Sequence, residues 1–183
     1  MTSPAMTRFI EEVTAIVRAG GGEEEVTRKV AERMKEAMRE PGLLKPEHLK
    51  TKGKGYVLWP VHVAADGSFS VAAAVWDVGQ ITPIHDHGTW GVIGICQGAE
   101  HEERFAPATG NGKAPLRKLK EWDAGEGAVF ICCTSDADIH RVSCGSKVPC
   151  VGLHVYGADI GKMRRRAYDE RTGEAKEFVS GWG

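Results

Sequence analysis

The sequence predicts an all-β core, a sandwich or small barrel, carrying two α-helices at its N-terminal end. Three observations predict it. From Tyr56 onward, short β-branched and aromatic runs recur, punctuated by Asp66-Gly67, Gly79, Gly98, Gly110 to Gly112, Gly125 to Gly127 and Gly145. Before Tyr56, apolar residues recur at helical spacing instead. The length of 183 residues suits one domain, able to bury a core without disulfide staples. The expected organisation is a single domain over 1–183, with a helical segment over about 4–41 and a barrel with its tail over about 56–183.

Ser3 followed by Pro4 marks the first helix start: a side chain that caps, then a residue whose missing N–H costs nothing in the first turn. Met6, Phe9, Ile10, Val13, Ile16 and Val17 share one helical face, and Gly20-Gly21-Gly22 ends the run. Glu23, Glu24 and Glu25 open a second helix at the positive end of its dipole. Its buried stripe is Val26, Val30, Met34, Ala37 and Met38, and Pro41-Gly42 stops it. Strands are expected near 56–63, 68–76, 82–87, 90–97, 100–105, 116–122, 128–133, 139–143 and 148–156. After Gly157 comes a tail with Arg164-Arg165-Arg166 and a closing "EFVSGWG", whose Phe178, Val179 and Trp182 are expected to pack back on the body.

Charge excludes some partners. With 24 basic and 25 acidic residues the formal net charge is −1, so no global field recruits nucleic acid or an anionic membrane. The five cysteines form no CxxC pair and follow no secretory pattern, which points to reduced thiols in a cytoplasm. No stretch reaches the about 18 consecutive apolar residues of a membrane span. Function is therefore sought in a local site for a small molecule.

The stretch "TPIHDHGTWGVIGICQG" supplies one. In a strand, residues two apart project from the same face. His85 and His87 then point together and Asp86 points away. His140, in "DADIHRVS", and His154, which shares a strand face with Tyr156 in "GLHVY", are the other histidines in patterned contexts. His48, His62 and His101 are assigned no role, and Cys96, Cys132, Cys133 and Cys150 read as small core residues.

The spacing Gly79, five residues, His85, one, His87, three, Gly91, six, Gly98 resembles the first cupin motif, with Gly91 where most cupins place a glutamate ligand. Gly125 to His140 resembles the second motif. The resemblance implies a double-stranded β-helix, a small β-barrel with a metal inside. "HDH", the later "HRV", the terminal "HVY" and "FVSGWG" are similar to the thiol dioxygenases, the cysteine and 3-mercaptopropionate dioxygenase group, over about Tyr56 to the C-terminus.

That resemblance implies Fe(II) held by His85, His87 and His140. It implies Tyr156 beside substrate and oxygen with His154 orienting it, and Arg165 holding a substrate carboxylate through its guanidinium fork. Three neutral imidazoles leave the cation its full charge and open positions, which favours an anionic thiolate. Thiolate plus O2 then gives a sulfinate, with both oxygen atoms on sulfur. Of Arg164 to Arg166, the other two are expected on a solvated surface.

Three departures from the family pattern are visible. Gly91 stands where some members carry a cysteine crosslinked to the tyrosine, and with no thiol expected there Tyr156 is read as unmodified. The family's Ser-His-Tyr relay needs serine at position 152, where this chain has Gly152. Counting back from His85 places Trp59 where the family has a polar carboxylate clamp. Trp59 is read either as a wall of the substrate pocket or as a core aromatic in a register shifted by one residue. Two other functions stay open: a metal-bound cupin that binds or senses a ligand without turnover, and a cupin enzyme using Ni, Zn, Mn or Cu.

Overall fold

The computed structural model describes residues 2–53, 55–107, 114–134 and 138–183. The turn signal at Gly110 to Gly112 lies outside them. Helix α1 spans Pro4–Ala19, and the Ser3 hydroxyl accepts from Met6 N as its sequence position predicts. Helix α2 spans Glu23–Ala37 with its three glutamates in the first turn. A 3-10 turn, Pro46–Leu49, leads into the sheets. No helix among the described residues is long and apolar enough to cross a membrane.

The strands are β1 (Val57–Val63), β2 (Ser70–Trp76), β3 (Ile84–His85), β4 (Gly91–Gln97), β5 (Ala99–Ala106) and β6 (Arg117–Gly125). They continue as β7 (Val129–Cys133), β8 (His140–Cys144), β9 (Cys150–Tyr156), β10 (Arg165–Tyr168) and β11 (Ala175–Phe178). One sheet has the order β1-β2-β9-β4-β7 and the other β11-β10-β3-β8-β5-β6. The pairing β2 with β9, β3 with β8, β4 with β7 and β5 with β6 is antiparallel throughout. The chain is thus one long ribbon, folded back at the β5–β6 hairpin and wound across two sheets. This is the double-stranded β-helix, an all-β core with two helices packed on it.

Burial follows from that winding. Every residue of β2 and β9 is buried, because one sheet face looks into the barrel and the other is covered by α1 and α2. Met6, Phe9, Val30 and Met34 of the helices cluster with Val71, Val92, Leu153 and Val155 of the sheet. Such strands read as continuous apolar runs, not as alternation.

Nine expected strands are present. The one near 82–87 is shorter, with regular pairing at Ile84–His85 only; beyond it Asp86 N still donates to Arg166 O of β10, while the Asp86 carboxylate takes the Arg166 N–H. The β10–β11 hairpin is an addition to the sequence reading: it extends the second sheet through Ala167 opposite His85. In the tail, Phe178 and Trp182 pack as expected, Trp182 Nε1 donating to Asp159 at 2.9 Å, while Val179 is half exposed.

Candidate metal centre

His85 ends β3, His87 follows two residues later, and His140 begins β8, directly opposite His85 in the ladder. Strand pairing therefore brings together residues more than fifty positions apart. The ring centroids lie 4.9 Å (His85–His87), 4.6 Å (His85–His140) and 4.8 Å (His87–His140) apart. One nitrogen from each lies within 4.8 Å of the others, and all three side chains are buried.

The tautomers suit metal binding. His85 Nδ1 lies 2.9 Å from Pro83 O, and a carbonyl only accepts, so Nδ1 carries the proton and Nε2 keeps its lone pair. His140 Nδ1 donates to Glu102 at 2.9 Å, and its Nε2 is buried without a hydrogen-bond partner among the described residues. His87 Nδ1 is likewise unpartnered. Burial, with neighbouring cationic groups, holds His85 and His87 well below the ordinary histidine range, so both rings are neutral donors. Three buried imidazoles that converge, with His87 Nδ1 and His140 Nε2 lacking partners among the described residues, fit a divalent transition-metal ion.

Asp86 does face away, and the structure shows why it is an acid. It accepts from Arg166 N at 2.7 Å, Arg166 Nε at 2.8 Å and Tyr168 Oη at 2.7 Å, tying β10 to the histidine segment. Asp138 holds the other side, accepting from the backbone N–H of His87 and Gly88. Neither role has a sequence signature, since both acids sit in ordinary polar contexts.

No protein-family model matches the sequence. Among solved structures, the chain is similar to an uncharacterized conserved protein with a double-stranded beta-helix domain from Klebsiella pneumoniae, at 13% identity over 77% of this chain and 93% of that one, TM-score 0.49. It is similar to the cupin domain of Cnp3 from Schizosaccharomyces pombe, at 11% identity over 57% and 61% of the two chains, TM-score 0.44. Oxalate decarboxylase from Bacillus subtilis matches at 18% identity over 51% and 22%, TM-score 0.40. These likenesses concern the fold alone, and the fold rests on the strand order given above.

Around the three histidines lies a cavity of about 20 Å³ that also touches His154, Tyr156 and Arg165. His154 Nδ1 and Tyr156 Oη are 2.8 Å apart, and the Tyr156 ring stands 5.1 Å from that of His87. Burial pushes the Tyr156 hydroxyl well up and holds His154 down to about 3, so both are neutral. Arg165 is 3% exposed, stacks on Phe178 at 4.8 Å and donates to Ser180, yet its Nε has no partner and no carboxylate pairs with it among the described residues. Arg164 is exposed, and Arg166 is the partner of Asp86.

Two expectations are corrected. Trp59 does not line the cavity: its Nε1 donates to Lys50 O and its ring stacks under Lys52 near the surface, while Tyr56 and Leu58 face the site. The register is the shifted one, and a slip of one residue exchanges the faces of a strand. Thiols also do reach the Gly91 gap. The point where a Cβ on Gly91 would sit is 2.5 Å from Cys133 Sγ, 2.8 Å from Cys132 Sγ and 3.1 Å from Tyr156 Cδ1. A bulge in β7 opposite Gly91 and Val92 turns both adjacent cysteines toward that gap.

Proposed function

We propose that this protein is a mononuclear non-haem Fe(II) thiol dioxygenase that converts a small thiol carboxylate, of 3-mercaptopropionate or cysteine type, to its sulfinate with O2. One observation carries the reading: a buried guanidinium without a carboxylate partner shares a small cavity with three buried imidazoles. A buried charge of that kind calls for a counter-charge, and a substrate carboxylate supplies it.

When bound, Fe(II) supplies a Lewis acid that favours the thiolate and a redox centre at which O2 adds both its oxygen atoms to sulfur. The chain's own residues do the rest. His85, His87 and His140 offer nitrogen donors and no carboxylate, so a bound cation would keep its charge to attract an anion. Arg165 offers its guanidinium fork to the far end of the substrate. Tyr156, hydrogen-bonded to His154, presents a hydroxyl at the cavity wall to orient substrate and oxygen. Leu58 and Val142 keep the space apolar and dry.

In this reading the substrate carboxylate enters past Ser180. Its hydroxyl joins Tyr56 Oη, at 2.9 Å, to Arg165, and Tyr56 and Leu58 separate the inner cavity from an outer groove of about 450 Å³. A carboxylate that displaces Ser180 inherits the Arg165 donor.

The test is O2 uptake by the iron-loaded protein with 3-mercaptopropionate and cysteine, with product mass. A gain of two oxygen atoms is the expected result, abolished together with metal in His85→Ala and slowed with metal retained in Tyr156→Phe. No O2 uptake across a panel of small thiols would overturn the reading. The second reading, a metal-bound cupin that binds a small acid without turnover, is favoured by Gly152, which stands where the relay of the resembled family has serine and leaves His154 Nε2 without a hydrogen-bond partner among the described residues. Saturable binding without product supports it, and elemental analysis of protein from its native source decides between iron and another metal.

A further inference from the structure

Two polar groups are buried without partners on either side of Gly152. On β5, Glu100 is fully buried and neither carboxyl oxygen has a hydrogen-bond partner among the described residues. On β9, His154 uses Nδ1 toward Tyr156, while its Nε2 is buried and has no hydrogen-bond partner among the described residues. A Cβ built on Gly152 would lie 2.9 Å from Glu100 Oε1 and would press on His154 Nε2. The glycine thus leaves a space bounded by a carboxyl oxygen on one side and an imidazole nitrogen on the other.

Glu100 and Glu102 lie two residues apart on one face of β5, both pointing into the barrel. Glu102 is engaged by His140, whereas Glu100 has no hydrogen-bond partner among the described residues and His154 Nε2 lies across the Gly152 space from it. Buried polar groups in folded proteins are almost always paired, and these two face each other across the space that Gly152 leaves open.

We propose that Glu100 is the positioning residue of Tyr156: its carboxyl group hydrogen-bonds His154 Nε2 across the gap at Gly152 and so fixes which ring nitrogen carries the proton facing Tyr156. Burial, with Glu102 nearby, raises the Glu100 carboxyl well above the usual carboxylate range, and His154 is neutral. The neutral acid donates its O–H to Nε2. Nδ1 is then the N–H and donates to Tyr156 Oη. The hydroxyl hydrogen of Tyr156 is released from His154 and turns into the cavity shared with His85, His87 and His140. Gly152 is required because any side chain there would fill the space in which the contact forms.

The consequence for turnover rests on the dioxygenase reading; the hydrogen bond itself does not. The first readout is therefore taken on metal-free protein with 15N-labelled histidine. Wild type is expected to show His154 in a single tautomer with a pyrrole-type Nδ1 and a pyridine-type, hydrogen-bonded Nε2. Glu100→Ala is expected to lose that tautomer, with thermal melts confirming the fold. Glu100→Gln, whose amide N–H still donates, is expected to keep it.

An unchanged His154 pattern in Glu100→Ala, or a wild-type protein already carrying its proton on Nε2, would overturn the proposal. In the iron-loaded enzyme, Glu100→Ala is expected to lower kcat about tenfold with little change in KM, and Glu100→Gln to recover most of it. If no thiol is oxidised at all while the His154 pattern still responds to Glu100→Ala, the dioxygenase reading fails and this assignment stands.

Discussion

Glu102 accepts the Nδ1 proton of His140 at 2.9 Å, with both side chains at most 2% exposed. The carboxyl oxygen fixes the ring's tautomer and orientation, so that Nε2 faces His85 and His87 with its lone pair free. Glu102→Ala is expected to weaken metal binding about 10- to 100-fold, and Glu102→Gln to do so less. Competition with a chelator of known affinity measures this. Unchanged affinity in Glu102→Ala would show that the pair has no part in holding the ion.

Among the described residues Arg165 is the one guanidinium lining the cavity, and its worth depends on a carboxylate arriving. Arg165→Met is expected to raise KM for 3-mercaptopropionate about 10- to 100-fold, since a charge-assisted fork is lost. A neutral thiol such as 2-mercaptoethanol is expected to be affected little. Equal losses for the two substrates would remove Arg165 from substrate recognition.

Asp86 holds β10 against the histidine segment through three hydrogen bonds that its one buried carboxylate accepts. Asp86→Ala leaves Tyr168 Oη and Arg166 N without their partner, at a cost of about 2–4 kcal/mol. For a domain of this size that is a fall of roughly 5–15 °C in Tm. Because Arg165 precedes Arg166 on the same strand, KM for a thiol carboxylate is expected to rise as well. A melt indistinguishable from wild type would refute the anchoring role.

Glu103 sits between Arg141, which binds it with Nε and Nη2, and Lys118. These cations, Arg141 first, hold its carboxyl down to about 2 from an ordinary 4.5. The folded pKa is below the unfolded one, so this contribution is complete above pH 4.5 and disappears as the pH falls through about 2. Glu103→Gln is expected to cost about 1–2 kcal/mol at pH 7. Denaturant midpoints of the two proteins should converge toward pH 2, and a gap that stays constant across the acid range would contradict this.

Much of the site was legible along the chain because its signals are local. His85 and His87 are two apart, so strand geometry alone directs them to one side. The "IHRV" context marked His140, and the two-apart spacing marked His154 with Tyr156. Glu100 and Glu102 were not legible. In "AEHEERFA" five charged or polar residues follow one another, and nothing in their types says that Glu100 and Glu102 face a barrel interior while His101 is partly exposed. The pattern was also silent on the β10–β11 hairpin, whose residues are polar on their outer face and pair with a two-residue strand.

By itself the sequence determined the period of its strands, the two capped helices and the set of nitrogen donors, since each depends on residues within a turn or a strand of one another. Only the tertiary structure decided the register that turns Leu58 inward and Trp59 outward. The same holds for the bulge that aims Cys132 and Cys133 at the Gly91 gap, and for the burial that makes Glu102 a partner of His140. The reason is physical: these outcomes depend on which strands meet and which faces close over a cavity. That is set by the summed packing of distant segments and by no property of any one of them.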